Sequence, residues 1–185
     1  MKPLFLIPIL LVLGFAPLSP PPDALPKILD YTEAVELLSH SLNIPEPSWL
    51  VGPEDAVYIC PPQEDIDDLI SFYRHRRAGI PYTSESWDCD NAASEAKVLA
   101  DIWSYQYYDG IHAAILVAKA YVKIDGNYAL LCPEVGNRHI TAYHVLCLIV
   151  RADGKVFFWE PQTNIVVPVD SFIYEDSIQV LKLEY

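Results

Sequence analysis

The chain is short of positive charge. It carries 12 Lys and Arg against 25 Asp and Glu, a formal net charge of −13. Such a surface repels polyanions, so neither nucleic acid nor an anionic lipid face is an expected partner. The acid excess is compatible with cation binding, but solubility alone accounts for it. Long apolar runs are also missing. Leu4–Ala16 is apolar, follows Lys2 and is interrupted by Pro8. It falls short of the roughly 20 residues that a spanning helix needs. A basic residue ahead of such a run has the shape of a signal peptide, and an uncleaved anchor is the alternative. Ala16 is followed by Pro17, which is unfavourable after a scissile bond, and a site after Ala24 is also imperfect. No cysteine follows the run closely, which excludes a lipoprotein attachment point. The expectation is a secreted or membrane-anchored extracytoplasmic protein, touching a membrane only through residues 1–16. There is no internal repeat.

Cysteine is scarce as well. The four are Cys60, Cys89, Cys132 and Cys147. Export makes one bridge among Cys60, Cys132 and Cys147 plausible, and the spacing does not choose it. Cys147 lies three residues from His144, so on one strand the two point to opposite faces. Cys147 is then expected in the core.

What is present divides in three. Residues 17–26 (PLSPPPDALP) form a proline-rich linker. Residues 27–185 form the folded domain. Apolar periodicity predicts a helix over Ile28–Leu42, capped by Asp30 or Thr32. A short strand is expected at Ala56–Cys60, then a helix over Gln63–Arg77. That helix starts acidic (Glu64, Asp65, Asp67, Asp68) and ends basic (Arg74, His75, Arg76, Arg77), which complements its dipole. Gly79–Ser86 reads as a loop. Asp90–Tyr107 reads as a third helix with a small apolar face from Ala92, Ala93, Ala96, Leu99, Ala100, Ile102 and Trp103. Strands are expected at Ala113–Ile124, Tyr128–Cys132, Thr141–Val150, Lys155–Glu160, Ile165–Val169 and Ile178–Leu183. Turns at Asp125-Gly126-Asn127, Gly136-Asn137 and Asp153-Gly154 separate several of them. Helices first and strands after predict an α+β fold, N-terminal helices packed on a C-terminal antiparallel sheet.

Three residues carry candidate chemistry. Cys89, in Ser86-Trp87-Asp88-Cys89-Asp90-Asn91, opens the third helix. A helix N-terminus and a nearby imidazolium both stabilise a thiolate. Asp88 and Asp90 suit a helix cap or a cation site, and unneutralised they would raise the thiol pKa. His144 starts the apolar run Tyr143–Val150. His139 is its main competitor; His112 is a weaker one, and His40 and His75 lie on early helices. Glu160 closes the apolar run Val156–Trp159. With a tight turn at Asp153-Gly154, His144 faces Thr163 and Glu160 faces Cys147. That leaves Glu160 about three residues from His144 along the ladder, too far for ideal pairing. A bulge or the break at Pro161 would close the gap. Gln162 or Asn164 is the alternative orienting group.

The order Trp87-Asp88-Cys89-Asp90, then His144 in a strand, then Glu160-Pro161-Gln162-Thr163 resembles the papain-like cysteine protease domain of the Marasmius oreades agglutinin, the agglutinin C-terminal family. In outline it is similar to bacterial transglutaminase-like cysteine proteinases. The resemblance spans roughly residues 60–185 and implies a papain/transglutaminase-like fold. It implies Cys89 as nucleophile, His144 as base and Glu160 as orienting acid. It also implies calcium beside the site, with Asp90 and Glu160 as ligands; Asp88 and Asn91 offer further oxygens. Their spacing is not that of an EF-hand. The chain lacks lectin repeats, so sugar binding is not implied.

The function implied is an exported cysteine peptidase, a calcium-activated thiol hydrolase of protein or peptide amide bonds. Ser84, Ser86 and the Trp87 indole are candidate oxyanion donors beside the Cys89 backbone N–H, and Gln162 a candidate substrate contact. One alternative is a non-catalytic exported binding domain that keeps the fold and binds a partner in its cleft. The other is a transglutaminase-like acyltransferase or amidase on the same three residues.

Overall fold

The computed structural model describes residues 25–42, 50–51, 57–78, 89–108, 113–173 and 178–184. The expected signal segment, most of the linker, Ser84, Ser86, Trp87, Asp88 and His112 lie outside the described residues. Among the described residues, nine strands form two sheets. The smaller has the order β1 (Lys27–Asp30), β3 (Val57–Cys60), β4 (Ala114–Ile115). The larger runs β2 (Leu50–Val51), β9 (Ile178–Glu184), β5 (Val117–Asn127), β6 (His139–Val150), β7 (Val156–Glu160), β8 (Ile165–Pro168).

This corrects the expected separation of helices from strands. Strands β1 and β3 alternate with α1 (Tyr31–Leu42) and α2 (Gln63–Arg77), and with β4 they build a second sheet. Nor is all the pairing antiparallel, since β3 runs parallel to β4 and β2 parallel to β9. The predicted helix over Ile28–Leu42 begins late because Ile28–Asp30 pair with Val57–Ile59. Asp30 then closes a reciprocal cap. Glu33 N–H donates to Asp30 Oδ1 at 2.9 Å, and Asp30 N–H to Glu33 Oε2 at 3.1 Å.

The larger sheet is covered on both faces. One face packs with α1 and the small sheet around Leu38, Tyr58, Leu146, Leu148 and Phe158. The other packs with α2 and α3 (Cys89–Tyr107) around Leu69, Tyr73, Ala96, Cys147 and Trp159. Ala92, Ala93, Ala96 and Ala100 are fully buried. Side chains that small let the α3 backbone lie close to β6, and the Cys147 thiol reaches Ala93 O at 3.5 Å. Ile102, placed on the same face by periodicity, is instead exposed.

Three further expectations change. Tyr128–Cys132 is a turn, closed by Leu131 and Cys132 N–H on Tyr128 O. Asp125–Asn127 continues β5, paired with His139–Thr141, instead of turning. Asp65 does more than complement a dipole. It is buried and accepts from Tyr107 Oη at 3.0 Å and from Tyr108 Oη. None of the four cysteines, all of them among the described residues, forms a disulfide, so none of the bridges considered is present.

Candidate functional site

The β6–β7 hairpin decides the geometry of the site. Its connection is a three-residue loop, Ala152–Gly154. Arg151 N–H donates to Lys155 O at 2.9 Å, and Gly154 N–H to Arg151 O at 2.8 Å. Gly154 has φ of 83°, the left-handed conformation that such a loop requires at its last position. An odd loop shifts the register by one from the tight-turn reading, so Cys147 faces Trp159. One further step along that ladder puts Glu160 opposite Leu146. Strand alternation then places Glu160 and His144 on the same face, as a diagonal pair.

The contact is direct. His144 Nε2 lies 2.5 Å from Glu160 Oε2. Glu160 is 1% exposed and is satisfied by two more donors. Tyr128 Oη donates to Oε2 at 2.6 Å and Gln162 N–H to Oε1 at 3.1 Å. The Tyr128 ring also meets the imidazole edge-on, with centroids 5.3 Å apart. Behind them Asn164, at φ 59°, turns the chain, its N–H on Glu160 O at 2.8 Å. Cys89, the first residue of α3, hydrogen-bonds the same imidazole.

Burial pulls the His144 pKa down. Hydrogen bonds to Cys89 and Glu160, and the charges on both, overcome it and push the value up to about 9. His144 is thus held as an imidazolium at neutral pH. Burial first, then the charge and hydrogen bond of Glu160, hold Tyr128 well above its usual value, so the phenol stays a donor. An imidazolium against a partly exposed thiol at a helix start polarises that thiol. It also presents positive charge to an anionic group.

The structure therefore brings Cys89, His144 and Glu160 together. Gln162 contributes its backbone N–H, while its side chain is exposed. His139, the competitor, sits on the sheet surface with Asp125 at 2.9 Å. Sequence reasoning missed Tyr128. Its signal was an aromatic residue just after a strand of alternating pattern.

The calcium set fits poorly. Among the described residues, no group of three or more His, Cys, Asp or Glu side chains is arranged to hold a metal. Asp90 Oδ1 is on the Lys119 ammonium at 2.8 Å, and both Glu160 oxygens have the partners named above. Asn91 is exposed, and Asp88 lies outside the described residues.

No family model matches the chain, and no curated protein matches it. Solved structures do. One, described as "PSL1a-E64 complex", superposes with a TM-score of 0.59 at 15% identity, covering 85% of this chain and 50% of its own. Another is the Polyporus squamosus lectin bound to the human-type influenza-binding epitope Neu5Aca2-6Galb1-4GlcNAc. It gives a TM-score of 0.61 at 16% identity, covering 85% of this chain and 49% of its own. The chain shares a fold with these structures and spans about half of their length.

These findings correct the family expectation. The matching structures are of a Polyporus squamosus lectin rather than of the Marasmius oreades agglutinin or a transglutaminase-like proteinase. A β-rich, two-sheet fold shared with that lectin replaces the papain/transglutaminase-like label. The enzyme, hydrolase and thiol-protease expectations are corrected with it, since the structures that share the fold are of a lectin. A ligand partner fits the comparison, whereas a protein substrate finds no support there.

Proposed function

We propose that the chain is an exported, non-catalytic binding domain that takes a carboxylate-bearing glycan at the Cys89–His144–Glu160 site. The observation that carries the reading is the His144 imidazolium, held by Glu160 beside the first turn of α3. An imidazolium and the N-terminal end of a helix both attract a carboxylate. In an otherwise acidic chain they make a local anion site. Neu5Ac, the terminal sugar named for one of the lectin structures, carries a carboxylate. Export rests on the Leu4–Ala16 run.

The test is calorimetric titration with the sialylated trisaccharide and with its desialylated form, for wild type and His144→Ala. Binding that requires both the sialic acid and His144 supports the reading. Equal affinity for the two sugars, or no binding of either, overturns it. A parallel incubation with a peptide library, read by mass, guards the non-catalytic half. Steady release of cleaved product, lost in Cys89→Ala, would return the site to amide hydrolysis and overturn the proposal.

A further inference from the structure

The lysine against Asp90 belongs to a larger cluster under the first turns of α3. Lys119 and Tyr121 on β5 face Glu184 and Lys182 on β9 across the ladder. Lys119 Nζ contacts Asp90 Oδ1 at 2.8 Å, Glu184 Oε2 at 3.0 Å and Ser94 Oγ at 3.4 Å. Tyr121 Oη donates to Glu184 Oε2 at 3.0 Å, and Lys182 pairs with Glu184 Oε1. Both ammonium groups lie about 5 Å from the Tyr121 ring centroid, at 5.0 and 5.1 Å. Two positive and two negative charges balance. The Lys119 side chain is 13% exposed, so it sits inside the cluster rather than on its rim.

Three oxygens from two elements, α3 and β9, converge on one point, the Lys119 nitrogen. Oxygen donors from two carboxylates and a hydroxyl are the set a hard divalent cation takes. We infer that Lys119 is a built-in cation. Its tethered ammonium fills the place between Asp90 and Glu184, and locks the Cys89 end of α3 to the C-terminal strand without a metal ion. The inference is independent of what the neighbouring site binds. It concerns stability and metal response, so it stands or falls separately from glycan binding.

The experiment is thermal unfolding of the full chain in millimolar calcium and in EDTA, for wild type, Lys119→Met and Lys119→Arg. Wild type is expected to melt at the same temperature in both. Lys119→Met keeps the apolar stem and removes the charge. It should melt about 2–4 °C lower in EDTA, and regain most of that loss in calcium, with calcium binding measurable by calorimetry. Lys119→Arg should melt close to wild type and ignore calcium. A wild-type melting point that falls in EDTA overturns the inference, because the chain would then hold a metal of its own. So does a Lys119→Met protein that loses nothing and takes no calcium. Should Lys119→Met fail to fold, Asp90→Asn is read instead: a loss in EDTA that calcium leaves unchanged supports the lock, and no loss overturns it.

Discussion

His144 Nε2 and Glu160 Oε2 meet at 2.5 Å across a hairpin whose loop contains an odd number of residues. That parity is what makes the pair. A two-residue turn would send the two side chains to opposite faces of the sheet. Cys89 comes to the same imidazole from a different element, the start of α3.

The pair makes stability depend on pH. The folded His144 pKa is raised from 6.5 to about 9, so its contribution is complete below pH 6.5 and is lost as pH rises through about 9. The contribution is at most about 3 kcal/mol. Urea unfolding between pH 6 and 9.5 should show a declining slope that Glu160→Gln flattens. A slope unchanged in Glu160→Gln would assign the titration to another group.

Tyr128→Phe removes one donor from a buried carboxylate. The expected cost is about 1–3 kcal/mol, measured by urea unfolding at pH 7. The His144 pKa, followed by NMR, should rise further, because Glu160 Oε2 then leans on the imidazolium alone. An unmoved histidine titration would show that Tyr128 only fills space.

The cysteines should separate by reactivity. Burial pushes the Cys60 thiol up to about 12 and raises Cys147 strongly, and both are fully buried. Cys89 is partly exposed against an imidazolium. Iodoacetamide at pH 7 should label Cys89 at least about tenfold faster than either, and His144→Ala should remove most of the difference. Peptide mass after timed quenching reads it. Equal rates in wild type and His144→Ala would mean that the imidazole does not act on the thiol.

Asp65 joins α2 to the end of α3 through Tyr107 and Tyr108. Asp65→Ala leaves the buried Tyr108 hydroxyl without its acceptor, at a cost of about 1–3 kcal/mol. A cycle with Tyr108→Phe should give a coupling on the order of 1 kcal/mol. Additive effects would mean that the hydrogen bond contributes nothing beyond packing.

Local features were legible in the sequence. The span Gln63–Arg77 appears as α2 with those bounds, and the alanine face of α3 follows its periodicity. Cys147 is buried where strand parity places it opposite to His144. Other signals misled. An aromatic and apolar stretch at Tyr128–Cys132 reads as a strand until tertiary contacts fold it into a turn that carries Tyr128 to Glu160. Asp125-Gly126 reads as a turn, yet twelve residues of β6 are long enough to keep pairing with it.

The sequence by itself determined the acidic charge, the helix periods and the residue types at Cys89, His144 and Glu160. Period and composition act within a few residues, where they can be counted. The tertiary structure alone decided the hairpin parity, the two-sheet arrangement and the seat of Lys119 between Asp90 and Glu184. Those depend on partners far apart along the chain, such as Lys119 and Glu184, 65 positions apart, and Leu50 and Leu183, 133 positions apart. Which strand pairs with which, and in what register, is settled by burying both faces of one sheet at once, and no local pattern contains that sum.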